Sequence, residues 1–153
     1  MAYNPSLYNP YGSQLVLVGQ NLLFLDSIRC PKGYVIHDNG SGVLTLRGIT
    51  GCNPFARYQV TFNGNIAIPT DGTVAAIAAA LTINGEELQY SRAIVTPAAV
   101  EQFFNVTCTR TIDVPKGCCS TLSVRGVNAG VGADIEQQAI LFADGNLDIN
   151  RIA

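Results

Sequence analysis

Short apolar stretches separated by turn residues run along most of the chain. Residues 58–62 read Tyr-Gln-Val-Thr-Phe, the alternation of apolar and polar positions that is typical of a half-buried strand. Turn sequences rich in glycine, asparagine, aspartate and proline, such as residues 38–42 and 51–54, recur about every ten residues. This spacing predicts two packed antiparallel sheets built from roughly nine or ten short strands.

Residues 73–83, Thr-Val-Ala-Ala-Ile-Ala-Ala-Ala-Leu-Thr-Ile, admit two interpretations. The alanine content favours a helix, and Thr70 or Asp71 is a suitable cap for its start. The dipeptide Asn84-Gly85 follows, and Asn-Gly between two apolar stretches is the strongest short signal for a β-hairpin. We therefore predict a strand that turns back into residues 88–95, with a helix as the alternative.

The same dipeptide occurs earlier in the chain. Asn63-Gly64 predicts a second hairpin, with residues 65–68 as its returning strand. Residues 96–104 begin Thr-Pro, which predicts one helical turn with threonine as the cap and proline at the first position.

The first twelve residues form a distinct segment, in which Tyr-Asn-Pro occurs twice. Proline fixes its own φ angle and pushes the preceding residue towards extended geometry, so residues 1–12 are predicted to form an extended N-terminal arm before a domain of residues 13–153. Tyrosine has a flat apolar body and a polar tip, which suits protein interfaces. The arm is therefore a candidate for docking on a neighbouring subunit, with a frayed terminus as the alternative. The candidate assembly contacts are Tyr3, Tyr8 and Tyr11.

Charge is sparse in this chain. Only 13% of residues are charged, against about 25% in a typical soluble domain. Surfaces buried between subunits need fewer charges than surfaces in water, so this deficit predicts extensive self-association. With a net charge of −2 and only two lysines, no basic patch and no nucleic-acid binding are expected. No run of about 18 apolar residues occurs and no secretion signal is visible, so no membrane insertion is expected.

Part of the sequence resembles a known group of proteins. Residues 65–69 (NIAIP), 84–88 (NGEEL), 96–100 (TPAAV) and 114–119 (VPKGCC) lie in a stretch covering a little under half the chain. This stretch resembles small structural proteins of phages and Gram-positive bacteria that carry a jelly roll similar to the tumour necrosis factor (TNF) and C1q trimers. The resemblance implies an all-β TNF/C1q-like jelly roll that assembles as a homotrimer.

The cysteines give the sharpest anomaly, because their number is odd. No Cys-x-x-Cys pair and no usual zinc spacing occur. Either all five are reduced, small apolar residues, or some form crosslinks within or between subunits after release into an oxidising medium. The candidate crosslinking thiols are Cys30, Cys52, Cys108, Cys118 and Cys119.

The remaining chemistry points away from catalysis. His37 is the single histidine, and the carboxylates are dispersed, so no acid–base or nucleophile set is recognisable. We predict neither an enzyme nor a cofactor or metal site.

The predicted function is structural: we expect a self-assembling homotrimer that serves as a phage head-decoration or fibre-type protein, located in the virion alongside other virion proteins. The alternative is an adhesion module for host glycans or surface proteins, or a subunit of a bacterial cell-surface or spore-surface assembly. Phe55, Tyr34 and Tyr90 are the candidate loop aromatics for glycan contact.

Overall fold

The computed structural model describes residues 6–8, 13–17, 20–24, 26–29, 34–38, 40–48, 54–117, 119–128 and 139–152. In these ranges the chain forms β-strands and a single 3₁₀ turn at Gln89–Ser91. The strands are β1 Ser6–Tyr8, β2 Ser13–Val16, β3 Asp26–Arg29, β4 Val35–Ile36, β5 Leu44–Leu46, β6 Phe55–Ala67, β7 Ile77–Ile83, β8 Glu86–Glu87, β9 Ala93–Val95, β10 Phe104–Pro115, β11 Ser120–Asn128 and β12 Ile140–Arg151.

The strands form two antiparallel sheets. The first sheet has the order β10-β6-β12-β1-β3, with β2 also paired to β12. The second sheet has the order β4-β5-β11-β7-β8, with β9 also paired to β7. The predicted all-β antiparallel sandwich is therefore confirmed.

The core lies between the sheets and follows the period of the strands. Along β6 the buried side chains alternate with partly exposed ones, because successive residues of a strand point to opposite faces. Phe62 of β6 and Phe142 of β12 meet edge to face, with ring centroids 6.2 Å apart. The largest fully buried side chains are Tyr58, Phe24, Phe62, Phe142, Leu22, Leu44, Leu46, Ile66, Ile68, Ile77 and Leu81.

The alanine-rich segment is a strand, as predicted. β7 runs between β11 and the short strands β8 and β9, and it is buried on both faces. Ala78 and Ala80 stand opposite the larger residues Ile94 and Arg125, so small side chains fit between bulkier neighbours. The turn Asn84-Gly85 has positive φ angles of 52° and 82°, as a two-residue hairpin turn requires. The prediction of one returning strand over residues 88–95 was wrong: β8 follows the turn directly, and residues 88–95 contain the 3₁₀ turn and then β9.

Two local predictions were wrong. The chain does not turn at Asn63-Gly64, because β6 continues through both residues. Gly64 is needed for packing: a Cβ there would lie 2.9 Å from Cζ of Phe62. Residues 96–103 contain no helical turn but bends and a hydrogen-bonded turn, in which Glu101 has a φ of 57°.

Part of the predicted N-terminal arm belongs to the first sheet. Residues 6–8 form β1, which pairs with β12 on one side and β3 on the other side within the same chain. Residues 1–5 and 9–12 lie outside the described residues. The extended arm of residues 1–12 therefore stays a prediction for the rest of that segment.

Candidate functional site

The outer face of the first sheet carries a continuous set of uncharged polar side chains. They come from β6, β10 and β12, which are adjacent strands in register, so their outward residues form rows across the sheet. Asp148 is the acidic residue among them. We call this surface the polar face, and it consists of Gln59, Thr61, Asn63, Asn65, Asn105, Thr107, Thr109, Thr111, Asn146, Asp148 and Asn150.

Side chains on the polar face are held by hydrogen bonds to one another. The Asn105 amide donates to Oδ1 of Asn63 at 3.0 Å and to Oδ1 of Asn65 at 3.3 Å. The Thr107 hydroxyl donates to the same Asn63 oxygen at 3.0 Å. Because these side chains are already ordered, covering them costs less conformational entropy than covering free ones.

A second surface is apolar and lies where the sheets meet at one side. β9 and the 3₁₀ turn lie against β10 there, which brings an edge of the second sheet onto the edge of the first. Tyr90 is 61% exposed and Ile94 is 56% exposed, and Phe103 and Phe104 are also exposed. We call these four residues the apolar edge.

Arg110 of β10 orders part of the apolar edge. Its guanidinium carbon lies 5.4 Å from the centroid of the Tyr90 ring, and the same group donates a hydrogen bond to the Tyr90 carbonyl. A guanidinium over an aromatic face is an attractive cation–π arrangement. The Tyr90 ring is therefore held in place while most of it stays in contact with solvent.

A third surface lies at the end of the sandwich where β6 begins and β12 ends. Cζ of Arg151 lies 3.7 Å from the centroid of the Tyr34 ring. The Arg47 amide donates to the Tyr34 carbonyl at 2.8 Å. The buried Tyr58 hydroxyl donates to the Arg47 carbonyl at 2.6 Å, so β6 fixes both segments.

Gly48, two residues after β5, packs tightly against the end of β10 at this same surface. A Cβ on Gly48 would lie only 2.2 Å from the Pro115 carbonyl oxygen, so only glycine permits this approach. The approach brings the backbone next to Arg47 against residues 115–117, and the Lys116 amide donates to the Pro54 carbonyl at 2.9 Å.

Arg57 completes the third surface. Its guanidinium pairs with Asp113 at 2.7 Å and lies 4.8 Å from the centroid of the Phe55 ring. Hydrogen bonding to Arg57 lowers the pKa of Asp113, and the same bond raises the pKa of Arg57. We call this surface the basic end, and it consists of Arg47, Arg57, Lys116 and Arg151 with the rings of Tyr34 and Phe55. The net charge of −2 does not reveal this grouping of basic residues.

The structure describes only some of the residues proposed from sequence for assembly and crosslinking. Cys108 is a buried free thiol whose pKa burial raises to about 11. Cys119 is disulfide-bonded. Tyr8 contributes its backbone to β1. Tyr3, Tyr11, Cys30, Cys52 and Cys118 lie outside the described residues, so their roles stay predictions.

His37 lies in the segment between β4 and β5. His37 Nε2 lies 2.8 Å from the Ser41 carbonyl oxygen, a contact within one loop. Among the described residues, no group of three or more His, Cys, Asp or Glu side chains is placed to hold a metal ion. No helix in the described part of the chain is long and apolar enough to cross a membrane.

Sequence reasoning missed the polar face and the apolar edge. The signal for the polar face is present in residues 104–111, where asparagine and threonine alternate with larger or apolar residues. The apolar edge as a whole has no comparable signal: Tyr90 is predicted to be a loop aromatic, but Ile94 looks like an ordinary core position until the pairing of β9 with β7 is known. Of the three aromatics proposed for glycan contact, Tyr34 and Phe55 lie at the basic end and Tyr90 lies on the apolar edge.

Comparison with solved structures shows a TNF/C1q-like fold. The globular domain of zebrafish complement 1qA superposes with a TM-score of 0.64 at 12% identity, covering 99% of this chain and 100% of that one. Murine APRIL at pH 5.0 gives a TM-score of 0.52 at 7% identity, covering 93% of this chain and 99% of that one. APRIL at pH 8.5 gives 0.53 at 8% identity, covering 94% and 98%. No family model matches the sequence, and no curated protein matches it.

Proposed function

We propose that this chain is a structural, self-assembling protein that forms a homotrimer, and that the homotrimer is a phage virion component of the head-decoration or fibre type. The observation that carries the self-assembly is the apolar edge. Four large apolar side chains are exposed on segments that pack against one another, in a chain whose surface carries few charges, and exposed apolar surface of this kind marks protein–protein contacts.

The polar face is the surface of a neighbouring copy that suits the apolar edge. Its asparagine and threonine side chains already form hydrogen bonds to one another, so covering them with Tyr90 or Ile94 leaves few polar groups without a hydrogen-bond partner. Asp148 is the charged residue of the polar face, and the Arg57–Asp113 pair lies just beyond one end of it. An edge that packs on a different surface of the next copy makes a head-to-tail contact, and such contacts form a ring when the rotation between copies closes.

The fold supports a ring of three. TNF/C1q-like folds occur in domains that assemble as trimers. Placement of the trimer in a virion rests on the sequence resemblance to small phage and Gram-positive structural proteins, and a bacterial cell or spore surface is the alternative location.

The experiment compares two isoleucines. Ile94 lies on the apolar edge and is 56% exposed, whereas Ile36 lies on β4 and is 43% exposed. Burying an isoleucine fully contributes about 1.5–3 kcal/mol, and a carboxylate in its place adds the cost of desolvating a charge. We expect Ile94→Glu to convert trimer to monomer in size-exclusion chromatography with light scattering. Ile36→Glu, the matched control, is expected to remain trimeric.

Equal masses for the Ile94→Glu variant and the unmodified protein would show that the apolar edge is not part of the interface. Far-ultraviolet circular dichroism of both variants shows whether each subunit is still folded, so that loss of assembly is not confused with unfolding.

A further inference from the structure

We propose that the basic end is a binding site for acidic polysaccharide, with Arg47 and Lys116 as the principal contacts to its carboxylate or sulfate groups. Arg57 and Arg151 add charge beside them. The site lies within one copy of the chain, so it does not depend on the trimer.

The concentration of charge is the first argument. Four of the nine basic residues of the chain lie in segments that the fold brings to this end, although the chain as a whole carries a net charge of −2. They come from segments far apart in sequence, which the fold brings together through the contact of Gly48 with Pro115 and the hydrogen bonds of Tyr58. Asp113 is paired with Arg57, so it offsets one of the four positive charges.

The order of the side chains is the second argument. Arg57 is stacked over Phe55 and Arg151 is stacked over Tyr34, so two of the guanidinium groups have restricted rotamers. The planar fork of a guanidinium matches carboxylate and sulfate oxygens in pairs. Arg47 and Lys116 are exposed beside this ordered platform, where an incoming anion reaches them without displacing core residues.

The spacing of charge favours a polysaccharide over nucleic acid. Duplex DNA carries a charge about every 1.7 Å, and binding it requires neutralising many phosphates at once. The basic end offers only a few cations, and the charge on the remainder of the chain is acidic. A carboxylated polysaccharide such as polygalacturonate carries one charge on each sugar ring, so its charges lie further apart than those of DNA and a few cations suffice, and the apolar faces of its rings suit the exposed part of the Tyr34 ring.

Assembly would increase the effect of each site. In a ring of three identical copies around one axis, every basic end points to the same side, because rotation preserves direction along the axis. Three sites on one side bind a repeating polymer with avidity. This avidity rests on the proposed homotrimer, whereas binding by a single site does not.

The test measures binding of the full chain to immobilised dextran sulfate and polygalacturonate, with uncharged dextran as the blank. We expect binding to both acidic polymers, weakened by added sodium chloride. Arg47→Gln is expected to weaken binding about tenfold, and Arg47→Gln combined with Lys116→Gln to weaken it further. Arg92→Gln is the matched control: it removes the same charge from an exposed arginine paired with Glu87, outside the basic end, and is expected to bind as the unmodified protein does.

Several results would overturn the site. Among these are unchanged binding by Arg47→Gln, an equal loss in Arg92→Gln, and tighter binding to an oligothymidylate than to either polysaccharide. If the protein formed larger assemblies in the absence of polysaccharide and Arg47→Gln abolished them, the basic end would instead be assigned to contact with a second copy of the chain. A monomer in sedimentation that still binds dextran sulfate through Arg47 would support this site while contradicting the trimer.

Discussion

Tyr58 connects the core to the basic end, and removing its hydroxyl group tests how that end is held in place. The side chain is fully buried. Its hydroxyl donates to the Arg47 carbonyl at 2.6 Å and lies 3.3 Å from the Tyr34 carbonyl, which already accepts a bond from the Arg47 amide. Tyr58→Phe therefore deprives one carbonyl, that of Arg47, of its main donor.

The expected decrease in stability follows from the loss of that single hydrogen bond. A buried acceptor left without a donor costs about 1–3 kcal/mol. Arg47 itself is exposed, so water partly replaces the hydroxyl and the lower half of that range applies. We expect Tyr58→Phe to lower the free energy of unfolding by about 1–2 kcal/mol at pH 7, and the melting temperature by roughly 2–8 °C.

The pH dependence of the stability gives a second, independent prediction. Burial raises the pKa of Tyr58 above its ordinary value of 10.0, against smaller opposing effects that include the charge of Arg151. The unfolded chain therefore releases this proton at a lower pH than the folded chain, and the free energy of unfolding falls as the pH rises above 10. The Tyr58→Phe variant lacks this contribution, so its deficit relative to the unmodified protein shrinks in alkaline solution.

The assay is urea denaturation followed by circular dichroism at pH values from neutral to strongly alkaline. Tyr90→Phe is the control, because Tyr90 is an exposed tyrosine and its substitution is expected to change stability little. Equal stability of the Tyr58→Phe variant at pH 7, or a deficit that does not change with pH, would refute the assignment of this hydroxyl as the tie between β6 and the basic end.

Two further predictions concern packing and reactivity. Gly48→Ala is expected to destabilise the fold by about 1–3 kcal/mol in thermal melts, because the new methyl group meets the Pro115 backbone. Gly126→Ala should cost less, since the nearest atom is the end of the flexible Ile140 side chain, and equal losses would contradict this reasoning. Cys108, whose pKa is about 11, should resist iodoacetamide at pH 8 in the folded protein and react in urea, as mapped by peptide mass spectrometry; rapid labelling of the folded protein would contradict its burial.

The sequence predicts the strands more reliably than the connections between them. Asn-Gly forms a hairpin turn at residue 84 but lies inside a continuous strand at residue 63. The same dipeptide takes both conformations because Gly64 packs against Phe62 and Gly145, a tertiary contact that no local pattern contains. The alanine-rich strand was recognisable only from its flanking turn, since its composition favours a helix.

The surfaces were less predictable than the fold. Sparse charge indicated self-association but did not show which face is apolar, because the apolar edge depends on the return of β9 to β7. The basic end was hidden by the overall charge, since Arg47, Arg57, Lys116 and Arg151 are separated by long stretches of sequence. Only the folded chain brings them to one place.

The central claim is that one folded copy is incomplete and hides its apolar edge among identical neighbours. Sedimentation equilibrium of the unmodified protein, diluted to micromolar concentration in physiological salt, tests this claim most directly. We predict a single species with three times the chain mass. A folded species with the mass of one chain across the whole dilution range would contradict it.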